Sequence, residues 1–146
     1  MPSFIYDKAR ESFLGIASGS INWTNDVIKA TLVSSSYVPD QANHQYVDPS
    51  LWAHTGSGAW TPQVLSGKTS TTGSALASNV TFTAVPAPYT INYVVLWKES
   101  GNGSRSQWQL VALLDSSAIT GLPLTGSGAD ITIAWNSVTA ARIFKL

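Results

Sequence analysis

The sequence predicts a mainly β protein: a single antiparallel β-sandwich, jelly-roll or immunoglobulin-like, with one short N-terminal helix. Three observations carry this. Asn92 to Trp97 and Gln107 to Leu114 are runs apolar on both faces, and Asp130 to Trp135 alternates apolar and polar. Turn chemistry separates them at Ser100-Gly101-Asn102-Gly103-Ser104 and from Gly121-Leu122-Pro123 to Gly126-Ser127-Gly128. Short strands divided by such turns pack as antiparallel sheets.

The helix covers about residues 4–14. Phe4 or Ile5, Ala9 and Phe13 fall at helical spacing, Ser3 is placed to cap it and Gly15 to end it. Next, Ile28, Ala30 and Leu32 alternate with Lys29, Thr31 and Ser34, a strand with one face towards the core. Residues 34–62 form the least regular segment, with Pro39, Pro49, Gly56, Gly58 and both histidines. Inside it, Asp48 as cap and Pro49 at the first position start a short helix. So long an irregular stretch in a compact domain is usually functional or ordered by a partner. Pro62 marks a strand start or an edge. Strands follow at Gly73 to Ala77 and at Val80 to Val85, the latter with Val80, Phe82 and Ala84 facing in. Gly101-Asn102-Gly103 reads as a hairpin turn, and Ala141 to Leu146 as a terminal strand. The expectation is seven to nine strands in one domain, residues 1–146. Jelly-roll and immunoglobulin-like strand orders both stay open.

Composition narrows the function. Charged residues make up 11% of the chain, against the usual ~25%. Eight Lys and Arg balance eight Asp and Glu. So weak a field argues against nucleic acid and against an anionic membrane surface. Near-zero net charge promotes association, which points to life in an assembly. There is no cysteine, which excludes disulfides and thiolate metal sites and leans towards a reducing cytosol. Met1 to Lys8 lacks a basic start and an apolar h-region, so it does not read as a signal peptide. No apolar run approaches the ~18 residues of a membrane span.

Catalytic readings are weak beside their ordinary alternatives. His44 and His54 stand ten residues apart in the irregular segment, which is no metal spacing. Asp7 and Glu11 share a helix face, but Lys8 and Arg10 beside them make it a solvated surface. Gly56-Ser57-Gly58 and Gly126-Ser127-Gly128 lack the strand and helix of a nucleophile elbow. The reading is therefore not an enzyme, with no cofactor and no metal. Six tryptophans are many for this length. Trp97, Trp108 and Trp135, inside expected strands, are read as core. Trp52 and Trp60, with Tyr37 and Tyr46, are read as an aromatic patch able to anchor an interface or stack on sugars. A satellite hydrophobic cluster under the long loop explains them equally well.

The order of motifs resembles a known group. Phe4 to Arg10, Gly19 to Val33, Ser36 to Asp40, Leu65 to Thr69, Val80 to Ala84, Val95 to Gly101, Asp130 to Trp135 and Arg142 to Leu146 follow one another as in a group of small virion structural proteins of tailed bacteriophages. The likeness covers almost the whole chain. Its motifs are structural, and the usual family form lacks some tryptophans found here, Trp60 and Trp108 among them. The resemblance implies a virion location, with synthesis in the host cytoplasm. Together with the composition it suggests a capsid decoration, or cement, protein: a homotrimer bridging major capsid subunits. The expected contact residues are Phe4, Ile5 and Tyr6 of the N-terminal segment and Tyr37, Tyr46, Trp52 and Trp60 of the irregular one. The alternatives are a tail-fibre or host-recognition module binding cell-surface glycans, a tail or connector component and, weakest, an enzyme degrading cell-wall sugars.

Overall fold

The computed structural model describes residues 3–15, 20–99, 104–135 and 142–146. The fold is mainly β and sandwich-like, with antiparallel sheets around one continuous core. The described residues hold eleven short strands and two helices. In chain order they are β1 (Phe4–Ile5), α1 (Asp7–Phe13), β2 (Ile28–Ser34), α2 (Pro49–Ala53), β3 (Gln63–Val64), β4 (Thr69–Thr71), β5 (Ser74–Leu76), β6 (Val80–Phe82), β7 (Thr90–Lys98), β8 (Gln109–Leu114), β9 (Leu124–Thr125), β10 (Ile131–Ile133) and β11 (Phe144–Lys145).

The main sheet runs β1-β8-β7-β2-β3, and β9 pairs the start of β7. Its centre is the apolar sequence that announces it. Val94 to Trp97 of β7 and all of β8 are buried. Such strands need cover on both faces, and the register shows where it comes from. Ile28 stands opposite Lys98, and Lys98 opposite Gln109, which fixes one face. On that face Gln109 Nε2 donates to Ser12 Oγ of α1 at 3.2 Å. Phe13 of α1 and Trp23 pack on Phe144, joining α1 to the three-stranded sheet β11-β5-β4.

Lys29, Thr31 and Val33 face the other way. Thr31 and Val33 are buried, which corrects the expectation of a strand with one covered face. The cover is the irregular segment itself: the buried indole of Trp60 donates from Nε1 to Thr31 Oγ1 at 3.2 Å. That segment also completes the edge of β8. Tyr46 bridges Gln109, Leu110 donates to Gln45 O and Val47 donates to Trp108 O. A buried sheet edge must satisfy its N–H and C=O groups, and residues 45–47 do so. The chain's own sheet therefore orders residues 34–62.

The N-terminus differs from expectation for the same reason. Phe4 and Ile5 pair with Leu113 and Ala112 as a strand, and α1 begins only at Asp7. Helical spacing was present, but the open edge of β8 offered these residues ladder hydrogen bonds instead. Ser3 caps no helix; its hydroxyl donates to Asp115 at 2.9 Å. Gly15 does end the helix, at φ +76°. Two further expectations change. Leu124–Thr125, taken as part of a turn region, is β9. Ala84, expected to face inwards, is exposed with φ +51°, and its N–H donates to Asp130 Oδ1 at 2.8 Å. The expected hairpin turn at 101–103 lies outside the described residues.

Candidate functional site

A groove of about 800 Å³ opens on the described surface, within the usual size of a ligand site. Its walls come from two segments far apart in sequence. The first is α2. Asp48 Oδ1 accepts the Leu51 N–H at 2.8 Å, Pro49 occupies the first turn, and buried Leu51 pins the helix to the core. That anchoring leaves the next residue, Trp52, half-buried on the groove wall. Tyr46 and Val47 lead into the same wall from the bridge to β8.

The second segment is the 3-10 turn Arg105–Gln107 and the start of β8. A bulge at Val111 shifts the register so that Trp97 opposes Leu110. Trp108, two residues before Leu110, then lies diagonal to Trp97 on the same face. Their rings are parallel within 5°, with centroids 5.8 Å apart. Trp52 meets Trp108 edge-to-face at 6.3 Å. The Arg105 guanidinium lies over Trp52, 4.6 Å from the ring centre. An aromatic ladder thus runs from the core at Trp97, through Trp108 and Trp52, to an exposed cation at Arg105.

Lys29, opposite Trp97 on β2, flanks this ladder. Its Nζ is 6.0 Å from the centre of the Trp108 ring and 2.6 Å from Glu99 Oε2. The Nε1 atoms of Trp97 and Trp108 are buried and meet no acceptor among the described residues. An unmet donor of this kind costs about 1–3 kcal/mol.

Of the residues expected to make contacts, Tyr46 and Trp52 line this groove. Phe4 and Ile5 line a smaller cleft of about 320 Å³ with Arg10, Ser117 and Arg142. Four of the expected contacts are corrected from surface to core: Ile5, Tyr6, Tyr37 and Trp60 are all buried in the chain's own interior. The expected single patch does not form. Trp60 packs edge-to-face on Tyr89 and against Gly56, where a Cβ would come within 2.6 Å of the ring. Tyr37 faces Tyr6, with hydroxyls 3.3 Å apart, and reaches His44 Nδ1 at 3.0 Å. Asp40 N–H also donates to that nitrogen, at 3.2 Å. Burial pushes the Tyr37 phenol above its ordinary range; burial, then the nearness of Tyr37, pushes Tyr6 much further. Both stay neutral and serve as a polar strut through the core.

Trp108 and Arg105 complete the groove and were not foreseen as site residues. Trp108 was read as core and is half-buried. Its one sequence signal is its place between the polar run Ser104 to Gln107 and the apolar strand. Nothing in the sequence links Arg105 to Trp52.

Fold and site together define a mainly β domain that presents an aromatic groove topped by one arginine. Comparison with known protein families, curated proteins and solved structures finds no match for this chain.

Proposed function

We propose that this protein is a structural component of a tailed-bacteriophage virion, and within it a decoration protein of the head that bridges major capsid subunits. The virion part rests on the resemblance that spans Phe4 to Leu146. The adhesive part rests on one observation: Arg105, Trp52 and Trp108, brought together from distant segments, form a groove of about 800 Å³. Aromatic and Arg side chains are the usual anchors of protein interfaces.

The mechanism is mechanical. A protein that binds only the assembled shell adds free energy to that shell by mass action. A contact of ~1,600 Å² at each site is adequate, repeated over the lattice. A trimer at local threefold axes suits this role. The near-neutral composition favours dense packing of copies over long-range repulsion.

A host-recognition module stacking on glycans is the second reading, favoured by Trp52 and Tyr46 sharing one groove. It ranks lower because Arg105 already covers Trp52 and Trp97 is stacked on Trp108. A sugar needs an open ring face.

Counting copies in purified particles on a quantified gel tests the proposal. Hundreds of copies per particle are expected, and on the order of ten would place the protein in the tail. Deleting it should lower the heat or salt tolerance of full heads and leave adsorption intact. Loss of attachment to cells with unchanged heads would overturn the decoration reading.

A further inference from the structure

We infer that the groove receives an acidic side chain, Asp or Glu, from the neighbouring capsid protein, and that Arg105 is the residue that recognises it. The inference rests on the adhesive reading and specifies its chemistry.

The first support is the fate of the cations. Lys8, Arg10, Lys29 and Lys98 are ion-paired to Glu11, Asp7, Glu99 and Asp26, and Lys68 donates to the carbonyl of Asp26. Arg105, like Arg142 and Lys145, forms no ion pair among the described residues, and of these three it alone lines the groove, which Asp48 shares. The Asp48 carboxylate is engaged by the Leu51 N–H of α2.

The second support is geometry. Arg105 is exposed, yet its guanidinium is held 4.6 Å from the centre of the Trp52 ring. Stacking on an aromatic face restrains the long side chain while its in-plane N–H fork stays free. That fork matches the two oxygens of a carboxylate. Trp52 is itself held by Trp108 and by its place beside buried Leu51. The ordering cost of the arginine is therefore met in part before any partner arrives.

The third support is the surround. Val47, Pro49, Trp52 and Trp108 give the groove mainly apolar walls beside this one free cation. That pairing of surfaces suits an acidic residue flanked by an apolar one on a protein segment. It suits a polyhydroxylated sugar less well.

The test is binding of the purified protein to heads that lack it, measured by co-sedimentation. Arg105→Glu is expected to weaken binding by at least about tenfold. Arg105→Lys should fall between the two, since it keeps the charge and loses the planar fork. Lys8→Glu, on α1 and away from the groove, makes the same charge change and should bind like wild type. Circular dichroism and urea unfolding should show all variants folded, as Arg105 is exposed and Lys8 half-exposed. If Arg105→Glu binds as wild type does, the inference fails and the decoration reading stands. If Lys8→Glu weakens binding equally, general charge rather than the groove is responsible, and the inference fails. If the wild type ignores heads, or binds host cell-surface polysaccharide instead, both readings fall.

Discussion

The indole of Trp60 donates a 3.2 Å hydrogen bond to the hydroxyl of Thr31, and both side chains are buried. This bond fastens the irregular segment to the second face of the main sheet. Thr31→Val keeps the shape and leaves the indole N–H unmet. The expected loss is about 1–3 kcal/mol. A fall in Tm of about 2–4 °C per kcal/mol would register it. Unchanged stability would mean that Trp60 is not fixed at this position.

The β4–β5 hairpin turns through Thr72 and Gly73, at φ +47° and +78°. Two residues with positive φ between paired strands make a type I′ turn, which favours Asn-Gly. A β-branched residue is costly there, by roughly 1–3 kcal/mol. Thr72→Asn should therefore stabilise the protein by about 1 kcal/mol, seen as a higher urea midpoint with an unchanged slope. Destabilisation would show that this turn is held in another conformation.

Asp115 ties the start of β1 to the turn after β8. Burial raises its pKa, but hydrogen bonds from the Ser117 hydroxyl and N–H and from the Ser3 hydroxyl outweigh this and hold it below 3.8. The charged form is thus favoured by folding. Its stabilisation is full above the ordinary value of 3.8 and fades as pH falls through the lower folded value. Asp115→Asn should be less stable than wild type at pH 7, with a gap that narrows in acid. Urea midpoints for both proteins at about pH 7 and about pH 3 measure the gap. An equal gap at both would overturn the assignment.

Trp135, just past β10, is buried, and its Nε1 donates to Ser78 O at 2.9 Å. Trp135→Ala should cost about 3–5 kcal/mol. Trp135→Phe should keep much of the packing and lose the hydrogen bond, for about 1 kcal/mol. Chemical unfolding ranks the two, and near-native stability of Trp135→Ala would remove this residue from the core.

Local features survived from sequence to structure where one segment decides them. Apolar runs buried on both sides became β7 and β8. Asp48-Pro49 capped α2 as its chemistry requires, Pro62 preceded an edge strand, and Gly15 closed α1. Expectations changed wherever a distant edge or face competed. Phe4 and Ile5 carried helical spacing and joined β8. Asp130 to Trp135 alternates as a strand does, and its pairing with β6, which periodicity left open, was decided by the fold.

The site follows the same division. Periodicity and composition are local properties, so they sufficed for the mainly β class, the aromatic-rich irregular segment and the charge-poor chain. Which aromatics remain at the surface depends on packing between distant segments. Trp60 and Tyr37 are buried by their apolar rings, and Thr31 and Tyr6 meet their polar atoms there. Trp52 stayed out because its neighbour Leu51 took the core position. Trp52 and Arg105 meet because strand pairing brings residues 45–47 and 108–110 side by side, and pairing depends on which sheet edge is left open, not on either segment alone.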